Sequence, residues 1–344
     1  MELRTLHKSD SDIFVGFAES RVGGRPENQD SYEYKETPLG FLVTVCDGMG
    51  GGPGGKTAST IAVKEIVTGI ADASTDEEIP NIIIKAVRRA NMAIIEAGNE
   101  NPQLKGMGST ATVLLLSDYS AFLAHVGDSR IYQISGGKKV YRTFDHSMVF
   151  DLVKQKVITE EQARLSAQSN VITRALGIKP DLEVDVVERP YSKGDRFVLC
   201  SDGIHGSMPE KEFLRMICNR KMPLGALVDD IATCVDNVGR SNGGHHDNLT
   251  LAIVETKNNS KLRPTMSKQV RLVLMILCTV CLLSLICNIW QATGSTNKNT
   301  NTVDSTIVNN KDTIIQQKDK EIMNLKDSIK LLKQNLEIAK NKKQ

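Results

Sequence analysis

The chain has 344 residues, 40% of them apolar, and a formal net charge of +2. That length allows one large domain or two small ones. Near-neutral charge with one Trp and 4% aromatics lacks the basic-aromatic pattern of nucleic-acid binders, so no nucleic-acid partner is expected. Seven cysteines at irregular spacing, Cys278, Cys281 and Cys287 within one apolar run, make no disulfide framework and point to a reducing compartment for the polar part. The first twelve residues show no charged-then-apolar leader, which predicts a cytoplasmic start.

Residues 13–19 alternate like a strand, and 21–30, with its Gly and Pro content, reads as a loop holding Arg25 and Asp30. The apolar run 41–46 predicts a buried strand that delivers Asp47 into Gly48-Met49-Gly50-Gly51-Gly52. Helical spacing follows over 54–68 and, behind Pro80, over 80–98. Strand-like segments at 110–116, 120–126, 130–134 and 138–142, the last two joined by Gly136-Gly137, predict an antiparallel meander. Residues 147–164 read as helix, and 146–180 as a partly polar insertion suited to cover a site. Strands at 182–188, 196–200 and 249–255 and helices at 210–219 and 224–238 complete a domain over 1–257 of α+β class.

A basic linker over 258–269 leads to 270–290, which carries no charge after Arg271. About 20 apolar residues at 1.5 Å rise cross a bilayer core, so a transmembrane helix is expected, with a buried core helix as the competing reading. Lys257, Lys261, Arg263, Lys268 and Arg271 precede it, which puts the large domain in the cytoplasm and the tail outside, with Trp290 an interfacial anchor. Residues 291–307 have the Asn-Thr-Ser composition of a stalk. In 308–344, Val308, Ile315, Ile322, Ile329 and Leu336 recur every seven residues, with Leu325, Leu332 and Ala339 three positions on. That is a coiled-coil seam able to form a homodimer or meet a partner over 308–340, and a lone solvated helix is its rival.

Four acidic residues lie at the ends of strand-like segments: Asp47, Asp128, Asp202 and Asp247. Hard dications prefer carboxylate, carbonyl and water oxygens, and a pair of them can clamp a phosphate and lower the pKa of a water. Asp47, Asp202 and Asp247 suit that chemistry, and the Gly48 carbonyl is a further candidate ligand. An anionic substrate also needs a cation, for which the guanidinium of Arg25 is first choice. Singly, an Asp-Gly pair is usually a turn. By the same reasoning His245-His246, beside Gly243-Gly244, read as loop residues and Ser147 as a helix cap, while Ser109 and Thr110 stabilise a strand start.

The ordered set Arg25-Pro26-Glu27-Asn28-Gln29-Asp30, Asp47-Gly48-Met49-Gly50-Gly51, Gly108-Ser109-Thr110-Ala111-Thr112, Gly127-Asp128-Ser129-Arg130, Ser201-Asp202-Gly203 and Asp247-Asn248-Leu249-Thr250 resembles the metal-dependent protein phosphatases of type 2C. The resemblance spans about residues 14–254. It implies a four-layer αββα sandwich of two antiparallel sheets flanked by helices, with two or three Mg²⁺ or Mn²⁺ ions at one end. Asp47 would bridge two ions, with the Gly48 carbonyl on one and Asp202 and Asp247 on the other. Asp128 resembles the ligand of a third, weaker ion, Asp30 the carboxylate that holds metal-bound water, and Arg25 the phosphate-binding arginine. The implied reaction is hydrolysis of phosphoserine or phosphothreonine on proteins by direct attack of metal-activated water, with no phosphoenzyme. Partners would be phosphorylated proteins, among them Ser/Thr kinases and their substrates. Met49 and Gln29 stand where many eukaryotic members carry His and Glu, and both are usual in bacterial members. Ala167-Gln168-Ser169 departs from the more basic run expected in the family's flap. A rival reading is a membrane-tethered, non-catalytic adaptor that acts through its coiled-coil tail.

Overall fold

The computed structural model describes residues 4–5, 13–50 and 53–261, together with Ser284. The chain divides after Arg263, and the strands and helices of the fold lie in the N-terminal unit. The spans predicted at 270–290, 291–307 and 308–344 lie outside the described residues. Among the described residues no helix is long and apolar enough to cross a membrane.

Chain order runs β1 (Arg4–Thr5), β2 (Phe14–Arg21), β3 (Asp30–Thr37), β4 (Gly40–Met49), α1 (Pro53–Ala71), α2 (Ile79–Glu100), β5 (Gly108–Ser109), β6 (Ala111–Leu116), β7 (Ala121–Val126), β8 (Arg130–Ser135) and β9 (Lys138–Arg142). Then come α3 (Met148–Lys154), α4 (Glu160–Arg164), β10 (Asp185–Arg189), β11 (Arg196–Cys200), α5 (Asp202–His205), α6 (Glu210–Ile217), α7 (Leu224–Ser241) and β12 (Leu249–Thr256). One sheet has the order β1-β2-β12-β11-β8-β9, the other β10-β7-β6-β4-β3, with β5 beside β4, and the named pairs are antiparallel.

Period-two alternation makes β4 a strand with two buried faces. Phe41, Val43 and Val45, with Leu114 of β6 and Leu123 of β7 in the same sheet, face the other sheet, where Phe14, Phe197, Leu199 and Val254 meet them. Leu42 and Cys46 point the opposite way, into a layer filled by Ile66 and Ile70 of α1 and Ile83, Val87 and Ile94 of α2. The outer face of the first sheet is covered likewise, Val198, Leu251 and Ile253 packing on Phe213 of α6 and Ile231 and Val235 of α7. Each such fully buried side chain contributes ~1.5–3 kcal/mol against exposure. The result is helix, sheet, sheet, helix, an α+β architecture with two antiparallel sheets.

Three local expectations are corrected. The strands at 121–126 and 130–135 do not neighbour each other in one meander: β6 and β7 belong to one sheet, β8 and β9 to the other. Residues 127–129 carry the chain across the sandwich. Strand β3 was not expected, because at a sheet edge its exposed positions Glu33, Lys35 and Glu36 leave little apolar signal. Residues 147–164 form two short helices instead of one. The break falls at Lys156, with φ 60°, after which Thr159 and Gln162 close a capping box on α4.

The chain beyond β12 stays attached for a few residues. Ser260 donates its N–H to the Tyr191 carbonyl at 3.0 Å and Lys261 to that of Asp118 at 2.7 Å.

Candidate metal centre

Antiparallel register gathers the acids. Cys200 pairs with Arg130 on one side and Leu251 on the other, so the residues just past β11, just before β8 and just before β12 share one sheet end. Those residues are Asp202, Asp128 and Asp247. In the second sheet Asp30 pairs directly with Asp47. A cavity of about 400 Å³ opens there, lined by Arg25, Asp47, Met49, Asp128, Asp202 and Asp247 among others. The structure therefore brings together all the acidic candidates and the cation picked from sequence.

Each position is held by its own local bonds. Asp47 donates its N–H to Thr110 Oγ1 at 2.9 Å, and its carbonyl accepts from the Thr110 N–H at 2.8 Å and the Ser109 hydroxyl at 3.0 Å. Ser109 and Thr110 thus fix the Asp47 backbone. The Gly48 main chain runs so close to the Gly55 carbonyl that a Cβ there would overlap it, so only glycine lets the end of β4 pack against the start of α1. Asn248 donates its side-chain amide to the carbonyls of Val22 and Glu27 at 2.8 and 2.9 Å and accepts the Gln29 N–H at 2.9 Å, stapling the Arg25 loop to Asp247. Arg25 Nη2 then meets Asp247 Oδ2 at 2.8 Å.

Two residues matter that sequence reasoning gave no role. The buried Ser201 hydroxyl donates to Asp30 Oδ2 at 2.8 Å while its oxygen accepts the Thr250 N–H at 3.1 Å. Arg130 forms a bidentate pair with Asp145, both bonds 2.7 Å, with both side chains buried. The only sequence signal for either was proximity to an Asp motif. The residues read as bland behave so: Ser147 caps α3, accepting the Phe150 N–H at 3.3 Å, and His246 pairs with Asp236 at 2.8 Å.

Crowding buried carboxyls penalises their charge. Burial, then the charges of Asp202 and Asp247, push Asp30 up to about 7 against the lowering effect of Thr250 and Ser201. Burial and the neighbouring Asp247 push Asp202 up to about 6. Asp47 and Asp128 are raised well above the usual carboxylate range, by burial first and then by neighbouring acids. Asp30 Oδ1 and Asp202 Oδ1 are buried without a hydrogen-bond partner. Orphaned buried oxygens among mutually repelling carboxyls are what a hard dication would satisfy, so the donor set fits Mg²⁺ or Mn²⁺.

A second cavity of about 540 Å³ shares Asp128, Asn170, Asp202 and Asp247 with the first and is walled by α3 and α4. The 146–180 segment thus borders the centre. On its far side the buried Asn91 of α2 donates to the Lys179 carbonyl at 2.8 Å and accepts the Gly177 N–H at 2.8 Å, anchoring its return.

Comparison with known proteins agrees with this geometry. The family model "Protein phosphatase 2C" matches residues 19–240. The chain is 31% identical over 244 residues to a serine/threonine phosphatase, stp, of Listeria monocytogenes, covering 70% of this chain and 91% of that protein. It is 31% identical over 233 residues to the protein phosphatase PhpP of Streptococcus pneumoniae, covering 67% and 92%. Among solved structures, the Mycobacterium tuberculosis serine/threonine phosphatase PstP/Ppp superposes with a TM-score of 0.61 at 29% identity, covering 72% of this chain and all of that one. The catalytic domain of PstP in complex with two manganese ions superposes with a TM-score of 0.60 at 28% identity, covering 72% and 99%. The matched model takes in more than half of the chain, and the chain belongs to the protein phosphatase 2C family as a metal-dependent protein serine/threonine phosphatase of bacterial type.

Proposed function

We propose that the N-terminal unit hydrolyses phosphoserine and phosphothreonine on proteins by direct attack of water on phosphorus, without a phosphoenzyme, using two or three Mg²⁺ or Mn²⁺ ions. The observation that carries this is the convergence of Asp47, Asp202 and Asp247 on one cavity with orphaned buried oxygens on Asp30 and Asp202. Asp47, the Gly48 carbonyl, Asp202 and Asp247 would hold the ion pair, and Asp128 a third ion. When bound, the ions supply charge neutralisation for the phosphate and lower the pKa of the attacking water. Asp30, aligned by Ser201, orients that water and takes its proton. Arg25, paired with Asp247 at 2.8 Å, has a half-exposed guanidinium from which it can turn to a phosphate.

We further read the chain as a single-pass membrane protein. The apolar run 270–290 would span the bilayer, with the phosphatase unit on the cytoplasmic side and the tail 308–344 outside, where its seam would meet a second copy or a partner. In that setting the enzyme would reverse bacterial Ser/Thr kinase signalling at the membrane. The complete acid set weighs against the adaptor reading.

Phosphate release from a phosphothreonine peptide by the detergent-solubilised full chain, across a Mn²⁺ titration, tests the reaction. Turnover that needs Mn²⁺ or Mg²⁺ and disappears in Asp47→Asn is expected; turnover in excess chelator would overturn it. Cysteine accessibility from either face of intact cells, probed at engineered sites on each side of 270–290, tests the orientation.

A further inference from the structure

The loop that carries Asp128 hangs on one residue of the following segment. Gly127, at φ +103°, turns the chain between β7 and Asp128, and both of its backbone polar groups bond to His146. The His146 N–H donates to the Gly127 carbonyl at 2.9 Å, and the Gly127 N–H donates to His146 Nδ1 at 3.1 Å. An amide N–H needs an unprotonated ring nitrogen, so the ring is neutral with its proton on Nε2. Nε2 faces Asp185 Oδ2 at 3.2 Å, which accepts that proton. Arg174 Nη1 stands at 2.8 Å from Asp185 Oδ1 and 3.2 Å from His146 Nε2. The ring is buried and stacked on His125 with centroids 4.4 Å apart. Burial, His125 and Arg174 push His146 down to about 4, in keeping with the neutral form.

His125, His146 and Asp185 place potential ligand atoms within 4.8 Å of one another. A metal would need His146 Nε2 bare while Nδ1 also accepts, leaving the ring with no proton, and Arg174 already supplies a cation there. The group serves hydrogen bonding instead.

We infer that His146 is a positioning residue for the Asp128 loop, and that Asp185 sets its tautomer so that the Gly127 amide has an acceptor. This rests on the reading of Asp128 as a metal ligand. The same residue starts the segment bordering the centre: the Thr173 N–H donates to the His146 carbonyl at 2.8 Å, and Asn170 and Ile172 line the metal-site cavity. Asp128 and that rim therefore share a pivot. Without the Asp185 carboxylate, Arg174 donates to Nε2, the ring proton moves to Nδ1, and it opposes the Gly127 N–H.

Isothermal titration of the full chain with Mn²⁺ tests this, with Asp128→Ala as reference and ¹⁵N shifts of labelled histidine reporting the tautomer. Asp128→Ala should lose the weakest ion. His146→Leu and Asp185→Ala should weaken that ion about 10-fold or more and leave the tighter ions unchanged. His146→Asn, whose Oδ1 replaces Nδ1 as acceptor, should bind it within ~3-fold of the parent. Nδ1 should read as unprotonated in the parent and protonated in Asp185→Ala. Asp185 is half-exposed, so its variant tests the idea even if His146→Leu does not fold. Parent-like binding in both His146→Leu and Asp185→Ala, an Asn variant no better than Leu, or an unchanged tautomer would overturn the positioning role. If Asp128→Ala itself keeps every ion, the ligand assignment fails and the inference falls with it; if only the His146 and Asp185 variants keep them, the ligand assignment survives alone.

Discussion

Removing one buried charge should stabilise the metal-free protein while ending its activity. Asp202 is buried, and its carboxyl is moved from its ordinary 3.8 to about 6 by burial first and by Asp247 second. A folded-state pKa above the unfolded one means the ionised carboxylate opposes folding. The penalty is absent well below pH 3.8, grows as pH rises, and is complete above pH 6, where it amounts to ~3 kcal/mol. Asp202→Asn keeps the shape and discards the charge, so at pH 8 in chelator its unfolding free energy should exceed the parent's by up to ~3 kcal/mol, or very roughly 6–12 °C in Tm. The gain should fall to about half by pH 5. Mn²⁺ at about 1,000 times its Kd reverses the ranking, because it adds ~4.1 kcal/mol to a parent that binds it. Urea unfolding at pH 5 and pH 8, with chelator and with Mn²⁺, reads all of this. A variant no more stable than the parent at pH 8, or a difference that ignores pH, would refute the electrostatic account of the centre.

Three other perturbations separate parts of the design. Arg130→Met leaves Asp145 charged and buried without its bidentate partner, and should cost ~3–5 kcal/mol in chemical denaturation; a cost below ~1 kcal/mol would mean the pair is dispensable. Gly127→Ala forces a side chain into φ +103° with its Cβ 2.7 Å from Thr110 Cγ2, and should lose ~1–3 kcal/mol along with the weakest metal ion. Ser201→Ala removes a donor that lowers the Asp30 pKa, so the acid limb of the kcat/KM profile should move up by about one pH unit, and an unmoved limb would remove Asp30 from the proton transfer.

The centre was legible because its parts are local. Asp47, Asp202 and Asp247 each sit at the end of an apolar run or just before one, where strand periodicity and turn chemistry are both readable in a few residues. Elements whose signal depends on neighbours were not. Strand β3 shows little apolar patterning because an edge strand needs little burial. The split between β7 and β8 is invisible to periodicity, since two buried strands joined by a short turn look alike whether they pair or part.

Residue types, their order and their strand-end placement are properties of the chain. They pointed to the α+β class and an oxygen-rich acid set, and the motifs they form implied phosphatase chemistry through their resemblance to the type 2C family. Which group bonds which was decided only by the fold. Ser201 reaches Asp30 across 171 residues, Asn248 reaches the Gln29 amide across 219, and the tautomer of His146 depends on a carboxylate 39 residues away. A hydrogen bond requires atoms about 3 Å apart at the right angle, and sheet register, not sequence spacing, supplies that coincidence.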